Sequence, residues 1–172
     1  LSIQLSATQQ IKTMKLKELT KIKDLDSKHK ILIGVFMHPT SVHVNRAPIQ
    51  GKVTQTTHFK NKNYPMTKTW VRTLLHLTPR YKSANYLLEN ERITTIIKGK
   101  ITLAVVQIAD IYVNKIDLYV KKSQTVSKGQ RIGMIKLGSQ VDLLLPDQNS
   151  ITIKVKEGDR VKAGESVLAE FL

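Results

Sequence analysis

The sequence predicts a mainly β fold, assembled as one domain over residues 1–172, with a duplicated C-terminal unit and a small helical insertion near 59–80. Three observations carry this reading. Apolar runs are short and rich in Val, Ile and Thr, the residues that suit a pleated, half-buried surface. Gly, Pro and Asn separate those runs at close intervals. The C-terminal part repeats itself at a fixed offset.

The elements follow in order. Residues 1–30 are polar and Lys-rich, and Ile11, Met14, Leu16 and Leu19 fit no clean helical period. They read as a strand with a turn at Asp24-Leu25-Asp26-Ser27. Ile31 to Met37 is a β-branched apolar run stopped by His38-Pro39, and reads as a buried strand. Ala47 to Thr57 is a second strand, with Gly51 marking a bulge or a close approach. Asn61, Asn63 and Pro65 then break structure, and Trp70, Val71, Leu74, Leu75 and Leu77 recur at near-helical spacing. This segment reads as an inserted loop with a short helix packed on the domain. From Arg92 onward the pattern is all β. Strands are expected at Ile93–Ile97, Ile101–Ile108, Ile111–Val120, Ile132–Leu137 and Val141–Leu145. Turns are expected at Lys98-Gly99-Lys100, Lys128-Gly129 and Pro146-Asp147.

The repeat pairs Val120, Val126, Gly129 and Ile132 with Val155, Val161, Gly164 and Val167, an offset of 35 each time. One such unit cannot bury its own apolar face, so the two should pack together. The pattern resembles the barrel-sandwich hybrid fold of biotinyl and lipoyl domains. Those domains carry a modified lysine at a hairpin tip, and the comparable lysine here is Lys136, without the second flanking Met.

Composition narrows the function. There is no cysteine, which excludes disulfides, thiolate metal sites and a cysteine nucleophile, and favours the cytosol. No apolar run reaches the 18 or so residues that span a bilayer, and no secretory signal is visible. The first residue is Leu, as expected of a fragment or a processed product. Lys plus Arg is 28 against 13 Asp plus Glu, a formal charge of +15. Such a surface attracts polyanions, whether nucleic acid or an anionic membrane. Aromatic residues are 5% of the chain, too few for a single-strand stacking platform, and no reader helix is evident.

Two segments concentrate polar chemistry. The first runs from Phe36 to Pro48 and holds His43, Asn45 and Arg46 just after a buried strand. In an extended segment His43 and Asn45 share one face. His43 is either an acid–base group with a reference pKa near neutrality or a locally bonded structural histidine. A metal site on His38 and His43 is disfavoured because no third ligand lies nearby in sequence. The second segment, Gly133 to Asp142, contains Gly138-Ser139. Glycine there permits a tight turn and a close approach to the serine. Such a turn suits a hydroxyl that attacks the peptide bond on its own N-terminal side, although most Gly-Ser pairs are simple turns.

Taken together, the motifs are specific. V-H-V-N-R-A-P at Val42–Pro48, E-N-E-R at Glu89–Arg92, A-V-V-Q-I-A at Ala104–Ala109, and K-G-Q-R-I-G-M-I-K-L-G-S-Q-V-D at Lys128–Asp142 resemble phosphatidylserine decarboxylases in the same order, in particular their short archaetidylserine-type branch. Val155 to Phe171 continues the likeness. The resemblance implies that Ser139 becomes a covalent pyruvoyl group, the only cofactor, by self-cleavage between Gly138 and Ser139 into chains 1–138 and 139–172. In such enzymes the pyruvoyl carbonyl forms a Schiff base with the lipid's serine amine and acts as the electron sink for loss of carbon dioxide. His43 matches the family histidine that assists processing and handles the proton during decarboxylation.

Three departures stand beside the likeness. The family's early S-P-A-D-G motif has no Asp, Pro or Gly counterpart at Leu5–Gln10, and Ser41 stands where an Asp is usual two residues before the histidine. Slow or absent self-cleavage is the expected consequence, and a degenerate lipid- or protein-binding member is the alternative. The family's N-terminal hydrophobic anchor also has no counterpart here. The expected partners are a phospholipid substrate, an anionic membrane surface and the chain's own cleaved C-terminal piece, with room for a homo-oligomer and no nucleic acid. The expected location is cytoplasmic, peripheral at the inner membrane face.

Overall fold

A computed structural model describes residues 2–6, 19–22, 29–67, 71, 75, 86–111, 116–136, 138–146 and 149–172. Among these, twelve strands and one short helix follow one another. They are β1 (Ser2–Ser6), β2 (His29–Met37), β3 (Val44–Arg46), β4 (Gly51–Phe59), α1 (Tyr86–Glu89), β5 (Arg92–Lys98), β6 (Thr102–Ala109), β7 (Ile116–Leu118), β8 (Thr125–Val126), β9 (Arg131–Ile135), β10 (Ser139–Pro146), β11 (Ile151–Ile153) and β12 (Ala169–Phe171).

The strands form three antiparallel sheets rather than a closed barrel. The largest has the order β1-β2-β10-β6-β5-β4-β8; the others are β3-β9-β7 and β11-β12. β10 lies between β2 and β6, paired on both sides. Alternate residues of these central strands enter opposite cores. Ile33, Leu103, Val105, Ile97 and Leu143 pack on one face. Leu32, Phe36, Ala104, Val106, Ile108 and Leu144 pack on the other. Burial on both faces explains why β2, β6 and β10 read as nearly continuous apolar runs. Each fully buried Leu or Ile contributes about 1.5–3 kcal/mol.

The duplicated unit is visible in hydrogen bonds. The Lys121 amide bonds Gln124 Oε1 at 3.1 Å, and the Lys156 amide, 35 residues on, bonds Asp159 Oδ2 at 2.9 Å. Gly129 and Gly164 occupy the equivalent turns at φ 81° and 78°. Val120, Val126, Ile132 and Val161 share one core cluster, with Val155, Leu168 and Phe171 packed against it. The two units therefore do pack together.

Several boundaries differ from the sequence reading. The second strand starts at Gly51, not Ala47, because the Ala47 amide and carbonyl bond Gln130 and Gly129, which holds that stretch as a bend. Gly51 is a close approach as expected: a Cβ there would lie 2.6 Å from the Lys98 carbonyl oxygen. Within the strand expected over Ile111–Val120 the described strand residues are Ile116–Leu118; residues 112–115 lie outside the described residues, and Ile111 sits in a turn where its amide bonds the Asp110 side chain. Leu19 is helical and fully buried rather than part of a strand. The turn expected at residues 24–27 lies outside the described residues, as do Trp70, Leu74 and Leu77. Leu75 donates to the Val71 carbonyl at 2.9 Å, one helical turn, yet both side chains are exposed and not packed on the core.

Candidate active site

Ser139 opens β10 at the centre of the large sheet, between Met37 of β2 and Ala109 of β6. It is fully buried, and its Oγ has no hydrogen-bond partner among the described residues. A buried hydroxyl left unpaired costs about 1–3 kcal/mol, so the position calls for a reason. Met37 and Ala109, paired with it on either side, belong to one apolar cluster with Ile93, Ile116 and Ile135, against which the partly buried Val141 packs. Gly138 holds φ at 56°, in the left-handed region that glycine tolerates and other residues resist.

His43 closes the loop between β2 and β3. Both ends of that loop border the segment that carries Ser139: Met37 pairs with Ser139, and Val44 pairs with Met134. The His43 carbonyl accepts from the Ile135 amide at 3.2 Å. His43 Nδ1 lies 2.7 Å from the Ser41 carbonyl oxygen, so Nδ1 carries the proton and donates. That assignment leaves Nε2 with its lone pair, buried and without a partner among the described residues. Ser41 thus does contact the histidine, through its backbone instead of a carboxylate.

The other motif residues build the frame. Gln107 Nε2 donates to Asn45 Oδ1 at 2.7 Å, which ties β3 to β6. Arg46 Nη1 donates to the Gly129 carbonyl at 2.8 Å, and its stem lies against Gly164, so one arginine spans both turns of the duplication. Asn90 donates to the Tyr64 and Ala109 carbonyls and accepts from the Tyr64 amide. Arg92, 1% exposed, donates to the carbonyls of Leu19, Leu88 and Asn90 and stacks over Phe59. Burial lowers its pKa to about 10, against a raising effect from Glu89. E-N-E-R is therefore a structural clasp.

Two carboxyl groups escaped the sequence reading. Asp142 is fully buried on the face opposite Ser139. Burial pushes it up to about 7, opposed by a 2.6 Å hydrogen bond from Gln140, which in turn accepts from the Tyr86 hydroxyl. Asp110 follows β6 directly. A Cβ on Gly138 would meet its Oδ2 at 3.1 Å. Burial raises its pKa, while hydrogen bonds from the Met66 and Ile111 amides lower it. The only sequence sign of either was a carboxylate set in or beside an apolar strand. Their neighbours come from strands far apart in the chain.

Lys136, the candidate carrier lysine, is exposed and faces Asp117 at 3.9 Å. His38 is exposed, with Nδ1 3.0 Å from Thr40 Oγ1. Among the described residues no group of three or more His, Asp or Glu is placed to hold a metal ion. A surface cleft of about 660 Å³ opens beside His58, Lys60, Glu91, Ile93, Ile116 and Leu118. Ile93 and Ile116 also belong to the cluster beneath Ser139. His58 and Glu91 are joined across the cleft wall at 2.6 Å.

This mainly β chain, with a buried serine after a glycine at positive φ, is similar to proteins named as decarboxylase proenzymes. A provisionally named archaetidylserine decarboxylase proenzyme of Methanothermobacter thermautotrophicus is 40% identical over 142 residues, 82% of this chain and 56% of that protein. A phosphatidylserine decarboxylase proenzyme of Desulfotalea psychrophila is 32% identical over 155 residues, 90% of this chain and 65% of that protein. The profile of the phosphatidylserine decarboxylase family matches residues 2–169, and the chain belongs to that family. It spans somewhat under two thirds of the length of these relatives. No solved structure matches the chain.

Proposed function

We propose that this chain carries the pyruvoyl-forming part of a decarboxylase acting on phosphatidylserine or a close analogue such as archaetidylserine. The observation that supports it most is the fully buried, unpartnered Oγ of Ser139 directly after a glycine at φ 56°. In this reading Ser139 Oγ attacks the Gly138 carbonyl carbon, and the C–N bond gives way to an ester. Loss of the Ser139 Cα proton then breaks the Cβ–Oγ bond and frees the Gly138 carboxylate. The dehydroalanine left at 139 takes up one water and releases ammonia. The products are chains 1–138 and 139–172, the second beginning with a pyruvoyl group.

A pyruvoyl group supplies a carbonyl that withdraws electrons as an α-amino carboxylate loses carbon dioxide. The surroundings of Ser139 suit such a group: its cross-strand neighbours Met37 and Ala109 belong to an apolar cluster with Ile116 and Ile135, and its Oγ has no partner among the described residues. His43 Nε2 is the acid–base atom, kept in one tautomer by the Ser41 carbonyl. The cleft at Lys60 is the approach for the anionic head group, with Lys60 exposed at its rim. The strong positive charge draws the chain to an anionic leaflet as a peripheral protein. No helix among the described residues is long and apolar enough to cross a membrane.

Intact-mass measurement with hydrazine tests the reading. The wild-type chain is expected to give two pieces, the smaller blocked at its start and labelled by hydrazine. Ser139→Ala is expected to remain whole and unlabelled. A wild-type chain that stays in one piece and takes no hydrazine while still binding lipid refutes the catalytic reading, leaving a degenerate binding module.

A further inference from the structure

Between Phe59 and Glu89 the chain has six Lys or Arg residues and no Asp or Glu. The stretch leaves β4 at the rim of the cleft, where Lys60 is a lining residue. Its first residues are held by the chain around α1 and β5. The Asn61 side chain donates to the Glu89 carbonyl at 2.8 Å, and the Asn63 side chain accepts from the Glu91 amide at 2.8 Å. Asn90 holds the Tyr64 backbone at both its amide and its carbonyl. The Met66 amide donates to Asp110 at 2.9 Å, and the Met66 side chain is buried. Lys60, Lys62 and Tyr64 alternate with these anchors and are exposed, Tyr64 by 51%. A ring carried on so fixed a backbone loses little freedom when it is covered. Val71 and Leu75 follow, one helical turn apart and so on one side of it. They are 41% and 59% exposed. Cationic and apolar side chains together, without acidic ones, are the pattern of a segment that lies at a lipid interface.

We propose that Lys60, Lys62, Tyr64, Val71 and Leu75 form the surface by which the chain docks on an anionic lipid leaflet. The two ammonium groups meet lipid phosphates. The three apolar side chains enter the interface, with the tyrosine hydroxyl left among the head groups. Lys60 belongs both to this surface and to the cleft, so docking sets the cleft against the leaflet. The inference rests on the reading of the chain as an enzyme of phospholipids given above. It narrows the general attraction of a +15 chain to one face. Charge spread over the whole surface predicts adsorption in many orientations, whereas an apolar patch at one place selects a single orientation.

The test is sedimentation of the full chain with vesicles of phosphatidylglycerol and phosphatidylcholine in equal parts, with thermal melting as the check on folding. Val71→Ser/Leu75→Ser changes exposed side chains only and is expected to melt close to wild type. It is expected to bind at least about tenfold more weakly, the factor for about 1.4 kcal/mol, which is less than one fully buried Leu contributes. Wild-type affinity in this variant overturns the surface, as does a wild-type chain that does not sediment with the vesicles. Should the variant fail to melt cooperatively, a second measurement decides. The chain has no cysteine, so Tyr64→Cys, Leu75→Cys and Val167→Cys each take a single polarity-sensitive dye. Val167, 52% exposed, lies in the C-terminal repeat. Emission that shifts to the blue on vesicles at positions 64 and 75 but not at 167 supports docking by this face. An equal shift at all three positions, or none at 64 and 75, overturns it. Binding is read whether or not the chain cleaves itself. Loss of the surface therefore leaves the processing reading standing, and an uncleaved chain that binds through these residues keeps the surface and removes that reading.

Discussion

Asp142→Asn should stabilise the protein at alkaline pH, and the size of the gain follows from burial. The Asp142 carboxyl is fully buried, accepts one hydrogen bond from Gln140 and leaves Oδ2 unpartnered among the described residues. Burial raises its pKa from 3.8 to about 7, with the Gln140 bond acting the other way. The folded chain therefore keeps this proton to higher pH than the unfolded chain does. Stability from this group is complete below pH 3.8, declines as the unfolded carboxyl ionises, and is lost once pH rises through about 7. At 1.36 kcal/mol per unit, a shift of this size amounts to about 4 kcal/mol. Asn presents an N–H₂ where the protonated acid presents its O–H, so the variant escapes the penalty. Urea unfolding of Ser139→Ala and Ser139→Ala/Asp142→Asn chains at pH 5 and pH 8.5 makes the comparison on uncleaved protein. The double variant should gain roughly 2–4 kcal/mol more at pH 8.5 than at pH 5. An equal effect at both pH values would show that Asp142 is ionised throughout, and the burial argument would fail.

Arg92→Ala should destabilise by at least about 3 kcal/mol, because three carbonyls, two of them in buried hydrogen bonds, lose their donor. Arg92→Lys should recover only part of this, since one ammonium cannot span all three; a loss below about 1 kcal/mol in urea unfolding of Arg92→Ala would contradict the clasp. Binding to vesicles should rise with anionic lipid content and fall with salt, at about 1 kcal/mol per engaged Lys or Arg. Sedimentation with vesicles of graded phosphatidylglycerol content measures this, and binding indifferent to both variables would remove the electrostatic account.

The strands of the large sheet were legible where both faces are buried. Ile31–Met37 and Val141–Leu145 are apolar at nearly every position because each neighbour of one core residue belongs to the other core. The duplication was legible because its turns reuse the same residue spacing, each with an amide bonded to the side chain three residues on. Of the candidate site, Ser139 and His43 were singled out by the ordered motifs that resemble the family; Gly-Ser by itself reads as an ordinary turn, and the polar cluster at His43 suits a structural histidine equally well. Arg46, Asn90 and Arg92 carried equal weight as motif letters, yet they bind backbone carbonyls, among them Gly129, Tyr64, Ala109 and Leu19, far away in the chain. Nothing in a linear motif separates a residue held for architecture from one held for chemistry.

Sequence alone settled the strand periods and the glycine turns, which depend on neighbours a few residues away, and the repeat and the excess of positive charge, which are read by comparing and counting along the chain. Tertiary structure decided what surrounds Ser139. Asp110 meets Gly138 because β6 pairs with β10, and Asp142 is buried because it points to the face opposite Ser139. Side-chain environment is a property of which strands become neighbours and of which face each residue takes, and that choice is made by packing across the whole sheet.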